Sequence, residues 1–502
     1  MDLSCLLLVA ILALSILYWF CTKTFDHWKQ QNVPSVPNPR PFFGHFLPVL
    51  FIKESLISFV HKIYQQTDAS MIGLFLLRKP ILLVRDPELV KSIFQTSFNK
   101  FHVNGFDLSE KNDPILVKNP FFTADLHLWK TRRARIVNHL SGSKLRQLFV
   151  IAEEVCSKMC QFNDRKIKEN GDYFECELKE FFVKYTGEIV ANAAFAIQGQ
   201  SYEDNPDRLA FAVIARKLLK PSLMNALKQA MLFYFPEVGS ALGIGIMEKS
   251  TDNYFRENIK LVLKERKRSN VAPKDFLQSA IEANGIDDID SIIADAIIFY
   301  GDVYETSSTT LAIVIYYLSE YKDIQNKLRT DISSKLQASG GAVNYDFLKS
   351  MNYLDQVIQE SMRLLTPAGT LMKVCTEEIT LKGFDGITCN LKPGTRVFIS
   401  LTGLHLDSNY WPEPDVFDPE RFAPENQANR HKFTFMPFGE GPRMCVGMRL
   451  ALMIIKLAIV KLLLRYSIEQ SSKTKKPLVL DATSFLTYPK GGWWARFKKL
   501  SD

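Results

Sequence analysis

The stretch Phe438–Gly447, FGEGPRMCVG, constrains this chain more than any other. One cysteine, Cys445, stands within a bracket of Gly439, Gly441, Pro442 and Gly447, with Arg443 two residues before it. A strongly apolar run from Leu450 to Leu464 follows at once, with the residue pattern of a buried helix. The composition predicts a Gly-rich loop that presents a thiolate at a helix start. Glycines let a backbone pass close to a large flat ligand. Backbone N–H groups at a helix start can hydrogen-bond the sulfur and favour its ionised form. Arg443 is placed to meet an anionic group on the same ligand. A lone buried cysteine beside a turn is more often plain core, so the reading has to be supported elsewhere in the chain.

Support comes from three further motifs. Trp129 and Arg133 stand at i, i+4, which puts an indole N–H and a guanidinium fork on one helix face, a match for a carboxylate. Glu360 and Arg363 stand at i, i+3 in a second helical pattern, Ser350 to Leu365, and Asp418-Pro419-Glu420-Arg421-Phe422 supplies another arginine. Glu305 and Thr306 lie in the middle of a long apolar helical pattern, Ile289 to Ser319. A carboxylate and a hydroxyl there need a reason, because burying them costs free energy unless they are satisfied.

With these residues in hand the chain resembles the cytochrome P-450 monooxygenases of the microsomal type. Phe438, Gly441, Arg443, Cys445 and Gly447 fill the family's Phe-x-x-Gly-x-Arg-x-Cys-x-Gly pattern, and the other stretches are similar to its W-x-x-x-R, E-x-x-R and P-E-R-F motifs. The resemblance implies one large, mainly α fold with minor β structure behind an N-terminal transmembrane helix. It implies haem b with Cys445 as the axial ligand to iron, and Arg443, Phe438, Gly439, Gly447, Trp129, Arg133 and Lys373 around the cofactor. Lys373 stands where the family often has an arginine for a haem propionate, and a lysine keeps the charge but loses the bidentate fork. Thr306 and Glu305 take the family's positions for placing water and supplying protons beside the iron, the threonine interrupting the helical bonding. The family more often has Ala-Gly where this chain has Asp302-Val303. Glu360, Arg363 and Arg421 are expected to lock the fold rather than to act in chemistry.

The implied reaction inserts one oxygen atom of O2 into a lipophilic molecule, foreign or endogenous. Electrons come from NADPH through a membrane flavoprotein reductase, with cytochrome b5 as an allowed second partner. The overall pattern is most similar to insect members that act on foreign compounds. Two other classes stay open: a haem-thiolate isomerase or peroxide user that needs no reductase, and a haem-binding membrane protein without turnover.

Leu3 to Phe20 is apolar or weakly polar throughout. As a helix its eighteen residues span about 27 Å, close to the bilayer core. No Lys or Arg precedes it, whereas Lys23, Lys29 and Arg40 follow, which places the body on the cytosolic side. The expected organisation is an anchor and flank at 1–33, a Pro-rich linker at 34–44 and the catalytic domain at 45–502, on the endoplasmic reticulum membrane. The net charge of +8 suits an anionic membrane surface and acidic partners. With no basic stripe carrying interleaved aromatics and no zinc-type spacing, nucleic acid is not an expected partner. Eight scattered cysteines in 502 residues suit a reducing compartment, and Cys156 with Cys160, at i, i+4, reads as core.

The remaining expectations are local. Met71–Leu76 and Pro80–Val84 read as strands, as do Ile379–Leu381, Cys389–Leu391, Thr395–Ser400 and two in Leu478–Phe497. Lys130, Arg132 and Arg135 are expected to offer positive charge to an electron donor, and Lys264, Arg266, Lys267 and Arg268 to be solvated. The apolar stretch Pro221–Gly245 reads as a lid touching the membrane or as core. His405 reads as structural. A turn at Thr483-Ser484-Phe485 is placed to reach the pocket.

Overall fold

The computed structural model describes residues 3–106, 108–208, 210–219, 222–269, 272–428 and 430–500. Pro221, the start of the apolar stretch named above, lies outside them. The chain opens on the helix Leu3–Thr22, with a mean hydropathy of 2.5 over an 18-residue window and none of that window covered by protein. An apolar helix bare of packing is compatible with a membrane anchor. At its end the Arg78 guanidinium stacks 3.6 Å over the Phe20 ring.

The strands in chain order are β1 Met71–Leu76, β2 Lys79–Val84, β3 Tyr173–Glu177, β4 Thr370–Val374, β5 Ile379–Lys382, β6 Thr388–Leu391, β7 Arg396–Ser400, β8 Tyr466–Gln470 and β9 Trp494–Lys499. All else of regular structure is helical, so the architecture is mainly α with minor β. The C-terminal stretch differs from its reading: only β9 is a full strand, and Leu480 and Pro489 form an isolated bridge. Pro489 has no N–H to extend that ladder.

The chain divides into two compact units, each drawn from three stretches. The first comprises Met1–Phe106, Ala368–Trp411 and His431–Arg443. Its sheet has the order β1-β2-β7-β4, with β2 parallel to β7 and the other pairs antiparallel. β1 is buried along its whole length. Leu77, at φ 53°, turns the chain from β1 into β2. The helix Leu56–Tyr64 is capped by the Ser55 side chain, which accepts from the Ser58 N–H. It buries Ile57, Phe59, Val60 and Ile63, the i, i+2, i+3, i+6 set of an amphipathic face.

The second unit comprises Asp107–Pro367, Pro412–Arg430 and Met444–Asp502. Its axis is the helix Ile289–Glu320, 32 residues long and buried almost all round. Asp288 caps its start by accepting from the Ser291 N–H, and Asp290 adds charge to the first turn. The helix Leu178–Ala194 packs along it, and the helices Gly142–Asn170 and Met448–Leu463 pack on each other. β3, β9 and β8 form a three-stranded antiparallel sheet.

One expectation about a run of charge fails in this unit. Arg266 is not solvated with its basic neighbours. It is buried, and its fork meets both oxygens of the buried Asp275, at 3.2 and 2.5 Å. One position in the basic run therefore faces the core, at the i, i+3, i+4 spacing of Leu263, Ile259 and Phe255.

Candidate active site

The middle of the helix Ile289–Glu320 carries an anomaly. Residues 292–300 and 307–316 are buried, yet Gly301, Asp302 and Thr306 between them have exposed surface. Apart from its chain neighbours and the backbone of its own helix, nothing lies within 4 Å of the place where a Cβ on Gly301 would stand. Asp302 is nonetheless deep among protein atoms, and desolvation pushes its carboxyl up to about 6. Surface that is open and deep at once belongs to an interior hollow. Asp302 and Thr306, four residues apart, share the face that lines it.

The local bonding fixes both residues. The Thr306 hydroxyl donates to the Asp302 backbone carbonyl one turn back. The helix stays regular through this point, so the threonine does not interrupt the bonding here; its hydroxyl adds a second donor to a carbonyl already in the helix. Asn119 Nδ2 lies 3.5 Å from Asp302 Oδ1, and Asn119 Oδ1 accepts from the Phe121 N–H at 2.8 Å. That second bond orients the amide, leaving its NH2 toward the carboxylate.

Cys445 has the same signature, an exposed residue whose sulfur lies deep. Burial pushes the thiol up to about 11, and the Asp302 charge adds to the rise. The Gly447 and Met448 N–H groups at the start of the helix Met448–Leu463, and the Arg133 guanidinium, act the other way. The helix-start bonding expected from the sequence is therefore present. Trp129 is buried on the same helix as Arg133, whose guanidinium lies 6.0 Å from its ring. Gly447 has room, since a Cβ there would meet only the Cys445 Sγ, at 4.0 Å.

Glu305 is engaged differently from its neighbour. Its carboxylate lies 2.5 Å from Lys179 Nζ, and that ammonium also donates to the Thr309 hydroxyl. Sequence reasoning missed Lys179, which sits on the helix Leu178–Ala194, more than a hundred residues away. It also missed Asn119.

In the first unit, Lys373 on β4 is 3% exposed. Its Nζ donates to Asn104 Oδ1 at 2.8 Å and lies 5.0 Å over the Phe94 ring. Among the described residues it makes no ion pair. Desolvation, with a smaller push from Arg443, brings its ammonium down to about 7. Phe438, Gly439 and Arg443 are half-buried. Gly439 and Gly441 take φ of +68° and +72°. A Cβ on Gly441 would strike the Phe94 carbonyl oxygen, so the close approach that requires this glycine is to backbone rather than to a ligand.

Haem tests these two groups of residues directly. In the second unit, a thiol with open surface inside a hollow suits an iron centre, and coordination by a cation would deprotonate it despite the raised pKa. In the first, a buried lysine without an anionic partner and a neighbouring arginine suit carboxylates such as the propionates. The donor set fits the group.

Other expectations resolve around the site. Glu360 and Arg363 are fully buried and bonded fork to carboxylate at 2.7 and 2.8 Å, with Arg421 at 3.5 Å. Arg363 also donates to the Pro414 and Val416 carbonyls, and Glu360 accepts from the Asp418 N–H. The basic helix is less available than its sequence suggests. Arg132 donates to the Val117 carbonyl and the Thr123 hydroxyl, both at 2.8 Å, and Arg135 pairs with the buried Asp295 at 2.9 Å, leaving Lys130 exposed. His405 is buried in a short helix and accepts from the Met436 N–H, a structural role as read. The Phe485 ring packs 5.5 Å from Phe233.

Comparison with known proteins agrees with this geometry. A family model described as Cytochrome P450 matches residues 34–495. Cytochrome P450 6k1 of Blattella germanica is 28% identical over 96% of this chain and 95% of its own. Cytochrome P450 6B2 of Helicoverpa armigera is 30% identical over 95% and 94%, and Cytochrome P450 9b2 of Drosophila melanogaster 31% over 98% and 97%. Matches of this extent, to insect proteins aligned nearly end to end, leave one conclusion: the chain belongs to the cytochrome P450 family, monooxygenases whose haem is held by a cysteine thiolate.

Proposed function

We propose that this chain is a membrane-anchored monooxygenase of lipophilic small molecules, foreign compounds foremost, drawing electrons from NADPH through a membrane flavoprotein reductase, with cytochrome b5 as an accessory donor. The helix Leu3–Thr22 would hold it in the endoplasmic reticulum membrane, with residues 1–33 as anchor and flank, 34–44 as linker and 45–502 as the catalytic domain facing the cytosol. The observation that carries the reading is the open thiol of Cys445, close enough to Asp302 on the Asp302–Thr306 face for that carboxylate's charge to act on it.

Each residue has a defined task. Cys445 is the ligand to iron. Gly447 and Met448 donate N–H groups to its sulfur, and Phe438 and Gly439 shape the loop that carries it. Trp129, Arg133, Arg443 and Lys373 hold the carboxylates of the cofactor. When bound, haem supplies the activation of O2, and its thiolate ligand favours O–O cleavage. The protein binds and orients the substrate, excludes bulk water and moves protons. Thr306 lies exposed one turn from Asp302, and Glu305, held by Lys179, is the adjacent acidic residue.

The test is turnover in membranes with the reductase, under isotopically labelled O2. Product carrying one labelled oxygen, formed only with NADPH, is expected. Equal turnover without reductase, or unlabelled product, contradicts the reading.

A further inference from the structure

We propose that Asp302 binds a cationic nitrogen of the substrate, so that the hollow selects lipophilic amines through a carboxylate–ammonium contact. The proposal rests on reading that hollow as the haem-thiolate site.

The Asp302 carboxylate is under-satisfied for its depth. Among the described residues its hydrogen-bond partner is the Asn119 amide, at 3.5 Å. A carboxylate offers about four lone-pair sites, and one long neutral hydrogen bond uses one of them. Buried carboxylates ordinarily sit against a lysine or arginine. Glu305 three residues on has Lys179, Glu360 has Arg363 and Arg421, Asp275 has Arg266, and Asp295 has Arg135. Among the described residues Asp302 has no such cation.

Geometry leaves the missing charge to a ligand. The carboxylate's residue is exposed, and apart from the neighbouring residues and the helix's own backbone nothing lies within 4 Å of a Cβ position at Gly301 beside it. Asn119 is oriented by the hydrogen bond its Oδ1 accepts from the Phe121 N–H. Thr306 stands one helical turn, about 6 Å, along the axis. An amine anchored at Asp302 would therefore present to the Thr306 level a carbon several bonds from its nitrogen.

The experiment uses the full-length holoenzyme and two probes, trimethyl(phenylbutyl)ammonium and its neutral isostere in which carbon replaces nitrogen. The cation is charged at every pH and has no lone pair for iron, so neither protonation nor coordination confuses the result. Equilibrium dialysis reads affinity, and the carbon monoxide spectrum reads the haem-thiolate centre in each sample. The wild type is expected to bind the cation at least about tenfold more tightly than the isostere. Asp302→Asn should abolish that preference with little change toward the isostere, and Asp302→Glu should keep part of it. Equal binding of the two probes by a wild type with an intact thiolate spectrum overturns the proposal, whatever the variants do. The same preference in Asp302→Asn also overturns it. A wild type without the thiolate spectrum overturns the reading of the site, and the proposal with it.

Discussion

The Glu305 carboxylate lies 2.5 Å from the Lys179 ammonium, which also meets the Thr309 hydroxyl. The acid next to Thr306 in sequence is therefore paired in space, while the acid one turn earlier, Asp302, opens into the hollow. Two carboxylates three residues apart on one helix have been given different environments, and with them different chemistry.

Both partners of the Glu305–Lys179 pair are largely shielded from water, so removing one leaves the other buried and unpaired. Glu305→Gln and Lys179→Met should each cost about 3 kcal/mol. The double variant should recover part of this, with a coupling energy above about 1 kcal/mol in a thermal or denaturant cycle. Strict additivity would contradict the pairing. If the Thr306 hydroxyl places water and protons in NADPH-driven turnover, as proposed, Thr306→Ala should lower the product formed per NADPH consumed.

Glu360→Ala should prevent stable haem incorporation. It strips the buried Arg363 and Arg421 of their shared carboxylate and frees the Asp418 N–H. Breaking one side of a buried ion pair costs about 3–5 kcal/mol, a large part of any domain's stability. Haem content per purified chain is the measurement; a normal value would refute the structural assignment.

Lys373→Met keeps the bulk of the side chain and removes its charge. If the ammonium meets a carboxylate of the cofactor, haem should leave the variant about tenfold faster on transfer to an apo-globin acceptor. Lys373→Arg should lose it no faster than the wild type, unless the Phe94–Asn104 pocket is too tight for the larger head; its haem content decides that directly.

Glu177 gives a pH signature away from the site. It is buried at the start of the helix Leu178–Ala194, accepts from the Glu180 and Trp493 N–H groups, and is pushed up to about 7 by desolvation. Its pKa in the unfolded chain is about 4.5. Between those values the folded state holds the extra proton, so stability falls as pH rises through the window. The drop is on the order of 3 kcal/mol. Glu177→Gln should show a flatter dependence of melting temperature between about pH 4.5 and 7, and parallel profiles would contradict the assignment.

The sequence was most legible where a pattern is local. The Leu3 helix, the β1–β2 hairpin and the Ile289 helix follow from runs of apolar spacing. The Glu360–Arg363 pair was visible because three residues on a helix set its geometry. What stayed hidden depends on partners distant in the chain. Lys179 gives no sign in sequence of meeting Glu305, nor Asn119 of meeting Asp302. Arg266, Arg132 and Arg135 looked solvated because charge runs usually are; each is instead tied to a group that folding brings beside it. Gly441 was placed correctly for a different reason, the Phe94 carbonyl rather than the ligand.

The central claim is that Cys445 is the thiolate ligand of a haem. The direct measurement is the absorption spectrum of the reduced protein with carbon monoxide, for the wild type and Cys445→His. A strongly red-shifted Soret band in the wild type, absent in the variant, is the predicted result. A wild-type band like that of a histidine-ligated globin, or one that survives the substitution, would contradict the account.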